Sequence, residues 1–210
     1  MTKELAKLRE RDVRRRIARE AAQLLYSRVV HEYKQAKELA AQSLGYRLMP
    51  TNAEVAIELD KLIDELEGSL RNQRLFEMRE DALEVMEVLR SFSPRLIGSV
   101  WRGLVRDGSD IDIEVFVEDP SQVLEALASA GYPLLSVRKI SPPESCGEEV
   151  FTQVITRSPR GYKVEVLVRP SDWVNRVRTC DIFGDRLTGL SLEQLRRILS
   201  EDPLRKFIPR

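Results

Sequence analysis

The sequence predicts an α+β protein with an all-helical N-terminal region, a mixed β-sheet with flanking helices and a short helical C-terminal segment. Residues 3–44 contain neither proline nor glycine and consist mostly of strong helix formers. From Pro94 onward, short apolar runs with period-two alternation are interspersed with helical patterns. We therefore expect a helical region over 1–92, a core with a mixed sheet over 93–170 and a short helical C-terminal segment over 171–210.

Three helices are predicted in the N-terminal region. Apolar side chains recur mostly every three to five positions over 3–44, which indicates one long amphipathic helix. Thr51 followed by Glu54 is a capping-box signature for a second helix, which Gly68 ends. A third helix is predicted over 70–92. The apolar stripes of these helices must pack on one another, on the sheet or on a second copy, so a homo-oligomer held by them is one expectation.

The remainder of the chain alternates between strand and helix patterns separated by glycine and proline turn signals. In chain order, the predicted elements are a strand at 95–98, a helical segment at 99–105, a strand at 110–117, a helix between Pro120 and Gly131, strands at 134–139, 149–157 and 162–168 separated by turns and by a loop at 141–147, and a helix over 192–199 with Ser191 as its N-cap.

Two carboxylates, Asp110 and Asp112, lie one residue apart within an otherwise apolar run. Side chains alternate between the two faces of a strand, so these carboxylates share one face while Ile111 and Ile113 point into a core. Two like charges held side by side repel each other and need compensation. A divalent cation with a preference for oxygen ligands, Mg²⁺ or Mn²⁺, would supply it.

The dipeptide Gly98-Ser99 follows a short apolar strand and precedes a helical turn. Glycine allows a phosphate to approach the backbone closely, and the start of a helix offers free amide groups. The Ser99 hydroxyl could donate to a phosphate oxygen, and Arg102, one helical turn further on, could bind the same phosphates. A phosphate site beside a metal-binding pair indicates phosphoryl or nucleotidyl transfer.

The motifs Gly98-Ser99, Arg102-Gly103 and Ser109–Asp112, at this spacing, resemble the signature of the DNA polymerase β-like nucleotidyltransferases. This superfamily includes minimal nucleotidyltransferases, antibiotic-modifying nucleotidyltransferases and class I CCA-adding enzymes. The clear match covers about 20 residues around these motifs, and a looser match in strand pattern extends to about residue 169. The resemblance implies a nucleotidyltransferase-type mixed sheet, with Gly98, Ser99, Arg102 and Ser109 binding the nucleotide.

The resemblance also implies an enzyme that transfers an NMP from an NTP to an acceptor hydroxyl and releases pyrophosphate. ATP is the default expectation for the NTP, and the acceptor could be RNA, a protein or a small molecule. The expected cofactor is Mg²⁺ or Mn²⁺, as two ions. Two such ions need about three carboxylates between them, so Asp110 and Asp112 need a third partner.

Glu165 is the predicted third carboxylate, because it lies in the middle of a predicted apolar strand, between Val164 and Val166. The family more often has aspartate at this position, so glutamate is a departure from the pattern. Glu114, on the same face as Asp110 and Asp112, is the alternative. A salt bridge or an exposed edge position is the structural explanation that competes with a catalytic role for Glu165.

Composition limits the other functional classes. Acidic and basic residues balance at 34 each, so no global charge attracts nucleic acid or membrane. Two cysteines without metal-site spacing, and the lack of an apolar run of about 20 residues, lead us to expect a cytoplasmic protein without a membrane partner. One alternative function is a catalytically weak regulatory or antitoxin-like module that binds a protein or RNA partner. Another is nucleic-acid binding by the basic first helix.

Overall fold

A computed structural model of the chain describes residues 3–141 and 150–209. Contacts divide the described residues into two compact units. The first unit runs up to Gly68 and includes Thr179–Asp185, and the second comprises Ser69–Arg178 together with the chain from Arg186 onward. The loop predicted at 141–147 lies outside the described residues except for its first residue.

The first unit begins with two helices, α1 (Lys3–Tyr26) and α2 (Tyr33–Ser43), where the sequence pattern predicted one long helix. That prediction was wrong because the chain leaves the helical conformation at Arg28, whose φ is 58°, and Val30 is then buried. The break allows the alanine-rich face of α2 to pack against α1. Their common core contains Ile17, Ala18, Ala21, Leu25, Ala36, Ala40 and Ala41.

The next helix, α3 (Asn52–Val88), contains both the second and the third predicted helix. Its two halves meet at Gly68, whose φ of 51° and ψ of −125° are not helical. The predicted capping box is confirmed: the Thr51 amide donates to Glu54 Oε2 over 2.6 Å, and the Glu54 amide donates to Thr51 Oγ1 over 3.1 Å. A short 3₁₀ turn, Arg90–Phe92, follows the helix.

The second unit contains a six-stranded mixed sheet, which confirms the predicted α+β class. Its order is β3-β4-β5-β2-β1-β6; β2 and β5 pair in parallel, and the other neighbours are antiparallel. After α3 the elements are β1 (Arg95–Ile97), α4 (Gly98–Arg102), β2 (Ile111–Phe116), α5 (Ser121–Ser129), β3 (Ser136–Ile140), β4 (Phe151–Arg157), β5 (Lys163–Arg169), a 3₁₀ turn (Ser171–Asn175), β6 (Leu190–Ser191) and α6 (Leu192–Glu201).

One face of the sheet forms the main apolar core of the second unit. The second half of α3 shares this core with the central strands, which is why it belongs to the sheet's unit although the sequence pattern placed a boundary at residue 92. The members from α3 include Leu75, Met78, Val85 and Met86, and those from β2 and β5 include Ile111, Ile113, Val164 and Val166. The alternate residues of the same strands, including Asp112 and Glu165, therefore occupy the opposite face.

The C-terminal helix begins as the sequence predicted. Ser191 is its N-cap and forms a capping box with Gln194: the Gln194 amide donates to Ser191 Oγ over 3.3 Å, and the Ser191 amide donates to Gln194 Oε1 over 2.9 Å. Within residues 3–141 and 150–209, none of the helices combines the length and the apolar character that crossing a bilayer requires.

Candidate active site

The pairing of β2 with its two neighbours places the predicted carboxylates side by side. Asp112 lies opposite Glu165 of β5 in the parallel pair and opposite Ile97 of β1 in the antiparallel pair. Side chains at paired positions share one face of the sheet. Asp110 directly precedes β2, two residues before Asp112. The structure thus brings Asp110, Asp112 and Glu165 to one face of two adjacent strands.

Gly98 contacts this group through its close approach to Asp112. Its φ is 69°, in the left-handed region that favours glycine. A Cβ atom at Gly98 would lie 2.9 Å from Cγ of Asp112 and would collide with Oδ2 of the same side chain. The sequence explained this glycine by the approach of a phosphate, whereas the structure shows that the Asp112 carboxylate already needs the space.

The electrostatic environment of Asp112 is unfavourable to its charged form. Burial, followed by the nearby carboxylates of Glu165 and Asp110, raises the pKa of Asp112 to about 7, while the Lys163 ammonium acts in the opposite direction. An aspartate in water has a pKa near 4. Negative charge is therefore concentrated at this end of β2 beyond what the surrounding groups neutralise.

Two polar side chains that were not among the predicted site residues form hydrogen bonds with Asp110 and Glu165. Lys163 Nζ donates to Asp110 Oδ2 over 2.6 Å and lies 3.8 Å from Glu165 Oε2, and the hydrogen bond to Asp110 raises the pKa of Lys163. Gln153 Nε2, from β4, donates to Glu165 Oε1. Alternation along β5 predicts that Lys163 shares a face with Glu165. The contact of Gln153 depends on the β4–β5 register, which the sequence did not indicate.

The predicted nucleotide-binding residues other than Gly98 occupy different environments. Ser99 follows Gly98 in α4 and is half-buried. The Ser109 hydroxyl accepts a hydrogen bond from the Arg106 amide over 3.0 Å, as in a turn. Arg102 is buried, and its Nη1 donates to the carbonyl oxygen of Phe207 over 2.9 Å. Phosphate binding by Ser99, Arg102 and Ser109 stays a prediction.

Glu114, the alternative third carboxylate, forms a buried ion-pair cluster. Its side chain is only 1 % exposed, accepts from Arg169 Nε over 3.1 Å and also accepts from Arg178 Nη2. Two arginines thus neutralise Glu114, whereas one lysine lies against Asp110 and Glu165. A buried carboxylate with two charged partners is typical of a structural network, so Glu165 is the better placed of the two glutamates for binding a cation.

The chemistry of the donor set fits a hard divalent cation. Three carboxylates share one face, and Asp112 would regain its charged form beside a cation. In the part of the chain that the structure describes, no three His, Cys, Asp or Glu side chains are arranged as a ready metal site. Lys163 donates a hydrogen bond to one oxygen of Asp110, and Gln153 donates one to an oxygen of Glu165.

Comparison with known proteins gives similarity to solved structures only. No family model matches the chain, and no curated protein matches it by sequence. Cid1 in complex with the UTP analogue UMPNPP matches with a TM-score of 0.35 and 15 % identity, over 52 % of this chain and 36 % of that one. A cytoplasmic RNA terminal U-transferase matches with a TM-score of 0.30 and 16 % identity, over 56 % and 34 %. The polymerase core of TRAMP, an RNA surveillance complex, matches with a TM-score of 0.31 and 18 % identity, over 57 % and 37 %.

These similarities extend over about half of this chain, and the chain spans well under half of the length of each solved protein. The activity is therefore proposed from the geometry of the site itself. The mixed sheet that the nucleotidyltransferase resemblance predicted is present.

Proposed function

We propose that the chain is a divalent-cation-dependent nucleotidyltransferase, which transfers an NMP from an NTP to an acceptor hydroxyl. One observation carries the proposal: Asp110, Asp112 and Glu165 share one face of β2 and β5, and Gly98 packs directly against Asp112. A carboxylate cluster beside a glycine at the start of a helix suits a nucleoside triphosphate and its counter-ions.

In the proposed reaction, Asp110, Asp112 and Glu165 would hold Mg²⁺ or Mn²⁺, as two ions. The bound cation would neutralise charge on the triphosphate and lower the pKa of the acceptor hydroxyl. The acceptor hydroxyl loses its proton to solvent and its oxygen forms a bond to the α-phosphorus. The bond from that phosphorus to the oxygen that bridges it to the β-phosphorus breaks, and pyrophosphate leaves. The backbone of Gly98 and the hydroxyl of Ser99 would contact the phosphates.

The remaining residues of the site would orient the carboxylates rather than react. Gln153 donates a hydrogen bond to one oxygen of Glu165, and the other oxygen, 3.8 Å from Lys163 Nζ, would bind the cation once Lys163 withdraws. Such support from a neighbouring strand compensates for the greater flexibility of glutamate compared with aspartate at this position. Arg102 is not part of the proposal, because its guanidinium donates to Phe207.

A second function is favoured by the contact of Lys163 with Asp110. A lysine that already neutralises a carboxylate of the cluster could mark a site that no longer binds metal. The chain would then be a catalytically weak module that binds a protein or RNA partner. The two functions differ in whether NTP binding depends on a divalent cation and on Asp110 and Asp112.

Calorimetric titration of the four NTPs with and without Mg²⁺ or Mn²⁺ tests the proposal. The wild type should bind at least one NTP in the presence of the cation, and Asp110→Asn/Asp112→Asn should not. Asp119→Asn/Asp172→Asn, which makes the same charge change at two exposed positions, serves as the matched control and should bind normally. Incorporation of labelled NMP into RNA, with pyrophosphate release, then identifies the reaction. Absence of cation-dependent NTP binding in the wild type would favour the binding module.

A further inference from the structure

We propose that Lys163 is a built-in counter-ion of the carboxylate cluster, which occupies the cluster in the absence of a divalent cation and must withdraw for the cation to bind. Lys163 would then be a positioning residue that sets the metal affinity of the site. The inference rests on the proposed function, since it concerns the cation that the nucleotidyltransferase would use.

The position of the Lys163 ammonium supports this role. Nζ lies 2.6 Å from Asp110 Oδ2 and 3.8 Å from Glu165 Oε2, so it contacts two of the three proposed metal ligands. These ligands come from different strands, β2 and β5, and the ammonium lies within ion-pair distance of both. A divalent cation bound to the same two oxygens would be repelled by an ammonium at this distance.

The charge balance of the cluster explains why a counter-ion is needed. Asp112 lies opposite Glu165 in the β2–β5 register and two residues after Asp110, so three negative charges are close together. The Lys163 ammonium lies within ion-pair distance of two of these charges. Without either Lys163 or a bound cation, the repulsion among the carboxylates would be relieved only by solvent or by protonation.

The attachment of Lys163 is suited to reversible withdrawal. Its side chain is 44 % exposed and reaches the cluster through a flexible four-carbon stem, so it can turn toward solvent without leaving a buried charge. The arginines that neutralise Glu114 differ in this respect: the side chains of Arg169 and Arg178 are 11 % and 18 % exposed. Glu114 therefore has two fixed arginine counter-ions, whereas Asp110 has one lysine counter-ion that can be removed.

Titration of Mn²⁺, with free Mn²⁺ counted by electron paramagnetic resonance, tests the inference in the absence of any NTP. Lys163→Met should bind Mn²⁺ at least about fivefold more tightly than the wild type, because an ammonium about 4 Å away opposes the cation even in a solvent-like environment. Lys139→Met is the matched control, since it removes the same charge from an exposed position of β3. Adding Asp112→Asn to the wild type and to Lys163→Met should abolish Mn²⁺ binding in both proteins, which locates the ion at the carboxylate cluster.

A metal-free measurement provides the second readout. In EDTA at pH 8, Lys163→Met should unfold at a lower denaturant concentration than the wild type, and Lys139→Met should not. The Mn²⁺ titration and the unfolding measurement are repeated on Lys163→Gln, which has a neutral polar side chain, as a check that methionine does not disturb β5. Equal or weaker Mn²⁺ binding by Lys163→Met and Lys163→Gln would overturn the counter-ion role and leave the proposed function intact. Absence of Asp112-dependent Mn²⁺ binding in every variant would overturn both proposals.

Discussion

The central residue of the candidate site is Asp112, which the fold places in an environment that opposes its charge. Strand β2 is internal to the sheet, so the Asp112 side chain has β1 on one side and β5 on the other. Gly98 at the end of β1 leaves room for the carboxylate, while Glu165 of β5 adds a second negative charge. A fold keeps such a residue at a cost in stability when a ligand uses it.

The first prediction concerns the pH dependence of stability and Asp112. Its pKa in the folded chain is about 7, above that of an unfolded aspartate, so the folded chain binds more protons than the unfolded chain between about pH 4 and pH 7. The free energy of unfolding therefore falls as the pH rises through this range. Asp112→Asn removes this pH-dependent loss. The free energy of unfolding of the variant, relative to that of the wild type, should therefore rise by on the order of 2 kcal/mol between pH 5 and pH 8.

Urea unfolding in EDTA at the two pH values measures this difference. Asp172→Asn, at an exposed position, is the control and should show no growing advantage with pH. A constant difference between Asp112→Asn and the wild type at pH 5 and pH 8 would contradict the proposed electrostatic strain at Asp112.

The second prediction concerns Gly98, for which the chain offers a close control in Gly161. Both glycines have positive φ, 69° and 88°, but a Cβ at Gly161 would meet nothing within 4 Å. Each substitution by alanine costs about 1–2 kcal/mol for the left-handed conformation. Gly98→Ala should lose more stability than Gly161→Ala and should also weaken cation-dependent NTP binding, because it displaces the Asp112 carboxylate. Equal losses in thermal unfolding and unchanged binding would contradict the contact.

At the scale of the elements, β2 carries two carboxylate environments on one face. Asp112 lies toward its start, beside β5 residues that are partly exposed, and Glu114 lies two residues further along, between two partly buried arginines. Arg169 is on β5, and Arg178 comes from the segment that follows the 3₁₀ turn. Glu114 thereby links two strands and a later segment of the chain, whereas Asp112 is left available for a ligand.

The third prediction separates these two environments. Glu114→Gln leaves Arg169 and Arg178 without their charged partner and should lower the free energy of unfolding by about 3 kcal/mol or more. Cation affinity, measured under folding conditions, should be retained if Glu165 is the third ligand. Glu125→Gln, at an exposed position of α5, is the control and should change neither quantity. Loss of cation binding in Glu114→Gln with an intact fold would transfer the ligand role from Glu165 to Glu114.

At the scale of the whole molecule, the site belongs to one of the two units. Asp110, Asp112, Glu165, Lys163 and Gln153 all lie within Ser69–Arg178, in the unit that contains the sheet. The other unit is helical and has its own core, built largely from small residues of α1 and α2. A ligand bound at the carboxylates therefore stabilises the sheet unit directly, and its effect should be visible in the unfolding of that unit.

The fourth prediction follows from this linkage. An NTP with Mg²⁺ at about one hundred times its dissociation constant should raise the free energy of unfolding by about 2.7 kcal/mol. Thermal unfolding followed by circular dichroism should show the corresponding upward shift, and EDTA should abolish it. Asp110→Asn/Asp112→Asn should show no shift. A shift that persists in EDTA would indicate nucleotide binding that does not use the carboxylates.

Sequence patterns predicted those parts of the molecule whose cause is local. Thr51 with Glu54 forms the predicted capping box, and Ser191 is the predicted N-cap, because each caps a backbone amide three residues further on. The alternation around Asp112 predicted β2 and its polar face. The break between α1 and α2 was missed because neither proline nor glycine marks it. Its local signal is a run of weaker helix formers that includes Ser27, Val29 and Val30.

By itself, the sequence determined the α+β class and the strand that carries Asp112, because alternation acts between near neighbours in the chain. Only the tertiary structure shows which glutamate lies beside Asp112. The parallel register of β2 with β5 sets Glu165 opposite Asp112, and two arginines distant in sequence neutralise Glu114. Strand register and long-range ion pairs depend on how all the strands assemble into the sheet, and no local sequence pattern contains that information.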